Sequence, residues 1–354
     1  MIHNLKLLVV LGPTSSGKSE LAVKLAKKFN GEIISCDSRQ IYRGMNLGTG
    51  KVEGKWCLLP SPLARGDVSS ASERQRGWTN KNKLYFVYKS IPHHLIDFQN
   101  PARQYSVARF GSEAKKIITD VIRRGRLPIL CGGTMHWIDA VVYSQTIPNV
   151  KPDPKLRAKL EIQSAAALFK QLLKLDSARA KTIDRFNKRR LVRALEIVIT
   201  TGRPVPQIIN LKSSILNPLW LGITLPQTDL YKKIDHRLKQ RIKQGMIKEI
   251  KSLHSNSPLA RGDVPKGQRG RTNGLSWRRL ESFGLEYKYI SLFLQKKISY
   301  DEMLSQLSYA IKHYSKRQLT WWKRNKEIKW IKPDFKKAVA LTKKFLDQKE
   351  KLVL

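Results

Sequence analysis

Residues 12–19 read Gly-Pro-Thr-Ser-Ser-Gly-Lys-Ser. Glycine, four residues and then Gly-Lys-Ser form a loop whose backbone N–H groups surround phosphate oxygens, provided a strand precedes it and a helix follows. Gly12, Pro13, Thr14, Ser15, Ser16, Gly17, Lys18 and Ser19 are therefore a candidate diphosphate-binding set. Lys18 contributes a full positive charge, Ser19 a hydroxyl able to hold Mg2+, and the start of the helix a partial positive charge. The pattern calls for a diphosphate-bearing ligand without saying which one.

Asp37 lies in Ser35-Cys-Asp-Ser-Arg-Gln40, directly after a second apolar run. Ligands of open parallel sheets bind beyond the carboxyl ends of the strands. A carboxylate there can take a proton from an acceptor attacking a phosphorylated donor, although an Asp turn or helix cap would use the same residue. Ser38 and Gln40 could hydrogen-bond a base edge. A third apolar run, Leu127–Cys131, ends in Gly132-Gly133-Thr134 and lacks the acidic residue of a metal-coordinating Walker B strand. That weakens a motor-ATPase reading. Thr134 offers a hydroxyl and an N–H near a leaving group; a tight strand-to-helix turn would have the same sequence.

Two segments carry clustered cations. Arg189, Arg190 and Arg193, with Arg179, Lys181, Arg185 and Lys188 nearby, form a basic helical face. Lys316 to Arg324 places cations, Arg317 among them, and Gln318 beside Trp321 and Trp322. That composition suits RNA phosphates and stacked bases, although for either indole the core is the better expectation. His93-His94 has no third ligand at metal spacing and reads as structural.

The elements that must position these groups alternate. Lys6–Leu11, Glu32–Cys36 and Leu127–Cys131 read as strands, and Ser19–Phe29 and Ser106–Arg123 as helices, the β-α-β pattern of a parallel sheet covered by helices. From Asp153 to Gly202 the pattern is nearly all helical. Pro154 opens one helix, and another runs from Lys188 to Thr201 and stops at Gly202. Asp229–His254, Tyr300–Arg324 and a basic amphipathic stretch, Lys336–Leu354, are also helical in pattern.

The chain has 354 residues, 41% of them hydrophobic, which is enough for a core. Its 68 Lys+Arg against 27 Asp+Glu give a net charge of +41, so a polyanion, nucleic acid first, is the expected partner. Its three cysteines, Cys36, Cys57 and Cys131, include no C-x-x-C pair, which argues against a disulfide framework or a zinc ribbon. With no signal-peptide pattern and no run of about 18 apolar residues, the expectation is a cytoplasmic location and no membrane partner. An internal repeat, Ser61–Val68 and again Ser257–Val264, reads as an inserted element in two exposed loops. Its Arg-Gly-Asp is not read as an adhesion signal.

Together these residues resemble the bacterial tRNA dimethylallyltransferase (tRNA isopentenyltransferase) family. The likeness rests on GPTSSGKS (12–19), SCDSRQIYRGMNLGTGK (35–51), PHHLID (92–97), LCGGTMHWIDA (130–140) and RRLVRALEIVITTG (189–202), joined by FGLEYKYI (283–290) and KRQLTWWKR (316–324). Gly50 stands where the family usually has Ala, Cys131 where it has Val, and Ile311-Lys312 where it often has Thr-Arg.

The resemblance implies an α/β, P-loop kinase-like parallel sheet with a helical insertion domain. The core would span 1–144 with a loop insertion at about 53–90, and the tRNA-binding insertion 145–215. Core and C-terminal helices would follow over 216–330, with a loop insertion at about 255–276, and a basic helix over 331–354. It further implies a monomer that transfers a dimethylallyl group from dimethylallyl diphosphate, with Mg2+, to the adenine 3′ of the anticodon in the tRNA anticodon stem-loop. Thr14 to Ser19 would hold the diphosphate and Asp37 would be the general base, with Lys18 and Thr134 catalytic. Asp37, Ser38, Arg39, Gln40, Thr134, Arg157, Arg189, Arg190, Arg193, Arg317 and Gln318 would contact tRNA. The alternatives are a P-loop kinase of a small metabolite and a disabled RNA-binding relic.

Overall fold

In a computed structural model the residues described are 5–58, 84–143, 148, 150–206, 216–255 and 274–348. Both copies of the Ser-Pro-Leu-Ala-Arg-Gly-Asp-Val repeat lie outside them. The chain divides into two units, 1–141 with 214–354, and 142–213.

The larger unit is built on an eight-stranded sheet. β1 (Leu5–Leu11) leads into α1 (Lys18–Lys28) and β2 (Gly31–Cys36). β3 (Lys55–Leu58), β4 (Leu84–Tyr88) and β5 (Ile91–His94) follow, then α2 (Val107–Arg123), β6 (Leu127–Gly132) and α3 (Met135–Val142). The strand order is β3-β4-β5-β2-β6-β1, continued by two later strands, β7 (Leu216–Ile223) and β8 (Lys329–Ile331). From β5 to β8 every pairing is parallel. β3 and β4 add an antiparallel edge. β1, β2 and β6 are buried along nearly their whole length, as all-parallel strands covered on both faces must be.

The first repeat-bearing segment joins Leu58 to Leu84, which are cross-strand partners in the β3–β4 pair. The second leaves after Ser255 and returns at Gly274, where the Leu275 N–H donates to the Leu253 carbonyl at 2.8 Å. His254 stacks on Trp277 with ring centroids 3.7 Å apart. Each segment thus starts and finishes at neighbouring points of the fold, where added length costs little closure entropy.

The smaller unit holds α4 (Pro154–Ile162), α5 (Ala165–Leu175), α6 (Ser177–Thr182) and α7 (Lys188–Thr201). Leu160, Leu168, Leu172, Leu191 and Leu195 form its separate core. Asp153 caps α4 by accepting from the N–H groups of Lys155 and Leu156, with Pro154 at the first helical position. Gly202, at φ 64°, ends α7 in the left-handed conformation that favours glycine.

After β7 come α8 (Gln227–Lys243), α9 (Met246–Ser255), α10 (Trp277–Ser282), α11 (Leu285–Leu294), α12 (Tyr300–Trp322) and, beyond β8, α13 (Phe335–Asp347). The helix expected over Asp229–His254 is two helices. Gly245, at φ 102°, breaks the ladder between α8 and α9. The basic C-terminal stretch packs as part of the core. Ala338 and Phe345 join the cluster beneath the sheet, and Lys6 Nζ donates to the Leu346 and Gln348 carbonyls.

His93 and His94 are buried in β5. His94 Nε2 donates to Glu32 Oε2 at 2.7 Å, and Arg124 and Arg126 bring guanidinium groups to Glu32 Oε1. Burial alone would raise the Glu32 carboxyl; hydrogen bonds from Arg124 and His94 outweigh it and hold the pKa at about 2. Replacing Glu32 by Gln leaves the partly buried Arg124 and Arg126 guanidinium groups unbalanced and is expected to lower stability at neutral pH by about 3 kcal/mol. Because its folded pKa lies below the unfolded value, the Glu32 contribution is present in full above about pH 5 and fades as pH falls towards 2. Urea unfolding across pH 2–7 checks this: the gap between wild type and E32Q should narrow on acidification.

Candidate active site

Three connections leave the carboxyl ends of β1, β2 and β6, and the chemistry-bearing residues lie on them. After β1 the chain turns at Gly12. A Cβ there would come within 2.7 Å of Ser16 Oγ and 2.9 Å of the Ile223 carbonyl, so the close turn requires glycine. Ser15 (φ 61°) and Gly17 (φ 90°) take left-handed conformations, which direct successive N–H groups into one concavity before α1 begins. Ser16 Oγ is buried there with no hydrogen-bond partner among the described residues. A phosphate oxygen would satisfy it.

Lys18 is half-buried, and its Nζ donates to the Pro13 carbonyl at 3.3 Å. Burial lowers its pKa below the ordinary lysine range, with Cys131 and Asp37 acting against the shift. Ser19 is exposed at the first turn of α1, with its hydroxyl hydrogen-bonded to the Cys131 thiol. Burial pushes that thiol up to about 11. Among the described residues no cluster of three or more His, Cys, Asp or Glu could hold a metal unaided. A single hydroxyl beside a diphosphate site still fits Mg2+, which keeps several waters and is bound through few protein groups plus substrate phosphates.

Asp37 follows β2. Its Oδ1 accepts from the N–H groups of Arg39 (2.9 Å) and Gln40 (3.3 Å), so the turn reading of this residue is realised in its geometry. That arrangement fixes the carboxylate through Oδ1 and leaves Oδ2 to meet a substrate. Thr134, after β6, ties the Asp37 loop in place. Its Oγ1 accepts from the Ser38 N–H at 3.0 Å, and its own N–H donates to the Cys36 carbonyl at 3.1 Å. A Cβ at Gly132 would collide with the Cys36 carbonyl, so the two loops approach only because that residue is glycine. Gln40 Nε2 donates to the Thr49 and Gly50 carbonyls at 3.3 Å, and the Arg39 guanidinium lies 5.6 Å from the Phe283 ring centroid.

The loop running on to Lys51 is anchored from several sides. Lys51 Nζ reaches the Tyr42 carbonyl, Asn46 Oδ1 and Asp97 Oδ1. Glu249 on α9 accepts from the consecutive N–H groups of Asn46, Leu47 and Gly48 and from the Tyr287 hydroxyl. Arg237 Nη2 donates to the Gly50 carbonyl, and Arg241 links the Leu47 carbonyl to Glu286. The charge of Arg237 acts on Lys18, and that of Asp37 acts on Arg237. Sequence reasoning missed Arg237, Arg241 and Glu249; the Arg237/Arg241 i, i+4 pair on one helix face was the available signal.

α12 supplies a further set. Gln318 is 1% exposed. Its Oε1 accepts from the Thr14 N–H at 2.9 Å and its Nε2 donates to the Gly133 carbonyl at 2.7 Å. The expectation of an RNA-facing Gln318 is therefore corrected: it is a buried strut between the phosphate loop and the Gly133 turn. The spacing Ile311, Ser315, Gln318, Trp322 marks the buried helix face and could have shown this. Tyr314, pushed up to about 12 by burial and the nearby Asp37 charge, stays a neutral phenol. Arg317 is exposed, with its guanidinium 5.7 Å from the Tyr314 ring centroid. Trp322 is buried, and the half-buried Trp321 is fixed at its edge by donating Nε1 to Asp139 at 2.9 Å.

In the helical unit, Arg157 and Arg193 converge on Glu196, which is fully buried. Arg157 donates through Nε and Nη2 at 2.8 and 2.7 Å, Arg193 through Nη1 at 2.6 Å, and the Asp153 N–H at 2.8 Å. Of these two arginines, both expected to contact tRNA, Arg157 thus joins α4 to α7, while Arg193 pairs with Glu196 within α7 and donates to the Val150 carbonyl. Arg189 and Arg190 are exposed on α7. Beside them Phe186 is 77% exposed, with the Arg185 guanidinium 4.9 Å from its ring centroid.

Two family models match the chain, one described as isopentenyl transferase over residues 5–55 and one as IPP transferase over residues 79–325. The chain is 34% identical over 325 residues to the tRNA dimethylallyltransferase of Thermomicrobium roseum, covering 91% of this chain and 84% of that one. It is 35% identical over 331 residues to that of Pelotomaculum thermopropionicum, covering 92% and 90%. Among solved structures, the tRNA isopentenylpyrophosphate transferase of Bacillus halodurans matches with a TM-score of 0.60 at 31% identity over 97% of this chain and 96% of that one. A eukaryotic dimethylallyltransferase acting on tRNA shares the fold, with a TM-score of 0.70 at 23% identity over 98% and 81%. The phosphate loop, the Asp37 loop and these likenesses agree: the chain belongs to the IPP transferase family of tRNA dimethylallyltransferases.

Proposed function

We propose that this enzyme transfers a dimethylallyl group from dimethylallyl diphosphate to N6 of the adenine immediately 3′ of the anticodon in tRNA, releasing diphosphate and acting as a monomer. The observation that carries the reading is that Thr134 holds the Asp37 loop against the turn flanking a phosphate loop, in a chain whose net charge is +41. The kinase and relic alternatives are not favoured by the family matches. Among the described residues no helix is long and apolar enough to cross a membrane.

The reaction forms a bond between adenine N6 and the allylic carbon and breaks the bond from that carbon to the diphosphate oxygen. The phosphate-loop N–H groups and Lys18 receive the charge that develops on the departing diphosphate. Mg2+, held by Ser19 Oγ and phosphate oxygens, would add Lewis-acid charge neutralisation. Asp37, with Oδ1 fixed by the Arg39 and Gln40 amides, uses Oδ2 to orient the N6 amine and take its proton. The adenine must leave its stack to reach these groups. Arg189 and Arg190, with the Arg185–Phe186 pair, give the helical unit an exposed surface suited to phosphates and a stacked base.

Incubation with unmodified tRNA, labelled dimethylallyl diphosphate and Mg2+ should place label in the tRNA. ATP consumption with a small acceptor, or RNA binding with no transfer, would count against the reading. Asp37→Ala should lower turnover by about 10²–10⁴-fold while tRNA affinity stays near wild type; unchanged turnover removes Asp37 from the mechanism. Arg189→Ala with Arg190→Ala should weaken tRNA binding and flatten the plot of log affinity against log salt by about 0.7–0.9 for each phosphate no longer neutralised. An unaltered slope in filter-binding titrations would exclude these arginines from the interface.

A further inference from the structure

The phosphate loop has a feature that the transfer reaction alone does not require. The Thr14 N–H, one of the loop's own amides, is already occupied by a side chain. Gln318 Oε1 accepts from it at 2.9 Å while Gln318 Nε2 donates to the Gly133 carbonyl at 2.7 Å. The Tyr314 hydroxyl approaches the same carbonyl at 3.5 Å, so α12 is joined twice to the turn after β6. The two partners define the amide's orientation, because an N–H needs an acceptor and a carbonyl needs a donor. A primary amide carries both groups on one planar tip and no charge.

The location matters as much as the bonds. A lysine at the Lys18 position of this loop type reaches the outermost phosphates of a bound nucleotide. Gly133 borders both groups. A Cβ placed there would lie 2.6 Å from Gln318 Nε2 and 3.7 Å from Lys18 Nζ. The Gln318 amide and the Lys18 tip therefore flank the same residue, on the side where Lys18 would meet the outer phosphate of a bound chain.

We propose that Gln318 is the residue that limits this phosphate loop to two phosphates: its buried amide fills the space beyond Lys18 that a third phosphate would need, and keeps the Thr14 N–H from an additional oxyanion. The inference rests on the proposed prenyl-diphosphate reading and would let a loop of nucleotide-binding pattern discriminate against triphosphates. A neutral amide does this without placing a second negative charge beside the leaving diphosphate.

The test is calorimetric binding of inorganic pyrophosphate and inorganic tripolyphosphate, each with Mg2+. Wild type, Q318A and Q318M are compared, with K18A subtracted to remove attraction to the basic surface. Wild type should prefer pyrophosphate by about tenfold or more, the scale on which a shaped pocket discriminates. Q318A, which opens the space and frees the Thr14 N–H, should bind tripolyphosphate as well as pyrophosphate. Q318M, which fills nearly the same volume, should retain most of the preference. The proposal is overturned if wild type shows no preference, if folded Q318A keeps it, or if Q318M loses it as fully as Q318A. Should Q318A not fold, competition by the two anions against labelled dimethylallyl diphosphate in wild type decides: equal competition overturns the proposal. Binding is read without prenyl transfer. A chain that discriminates the anions but labels no tRNA would refute the assigned reaction and leave the role of Gln318 standing.

Discussion

Hydrogen bonds across the carboxyl edge of the sheet hold this molecule's chemistry in place. The phosphate loop, the Asp37 loop and the Gly132–Thr134 turn hang from three different strands and share no covalent connection nearby. The Thr134 hydroxyl, accepting the Ser38 N–H, joins the second to the third. The Gln318 amide joins the first to the third. Both struts are short, neutral and sheltered, so they set distances between loops without adding charge to a site that must receive a diphosphate. Buried polar groups of this kind are favourable only when every partner is present, which gives the arrangement a single geometry.

Charge is organised by the same rule. The chain carries a large cationic excess, yet several cations inside the fold are paired with carboxylates. Lys51 meets Asp97, Arg241 meets Glu286, and Arg157 and Arg193 share Glu196. Buried and half-buried carboxylates act as organisers. Glu249 gathers three consecutive backbone amides of the loop that follows Asp37, and Glu196 fastens α4 to α7. The cations left exposed, Arg189 and Arg190 among them, are those available to a polyanion.

Much of this was legible in the chain. The phosphate loop announces itself because its function depends on backbone shape, and backbone shape depends on glycine. The helix over Lys188–Thr201 has the predicted limits because its cap and stop signals, Asn187 and Gly202, are local. The edge strands β3 and β4 escaped notice because pairing between residues separated by a long segment leaves no periodic trace. The break between α8 and α9 was missed because a lone glycine within a helical pattern is often tolerated.

The sequence by itself determined the family, the parallel sheet and the identity of the phosphate loop and Asp37, since each is written in short-range pattern. Tertiary structure alone decided the partners. Helical phase turns Gln318 inward while leaving Arg317 outside, and Glu196 draws Arg157 and Arg193 into the framework of the helical unit. A side chain's role follows from what it meets across the fold, and residues distant in the chain meet only after packing has brought them together.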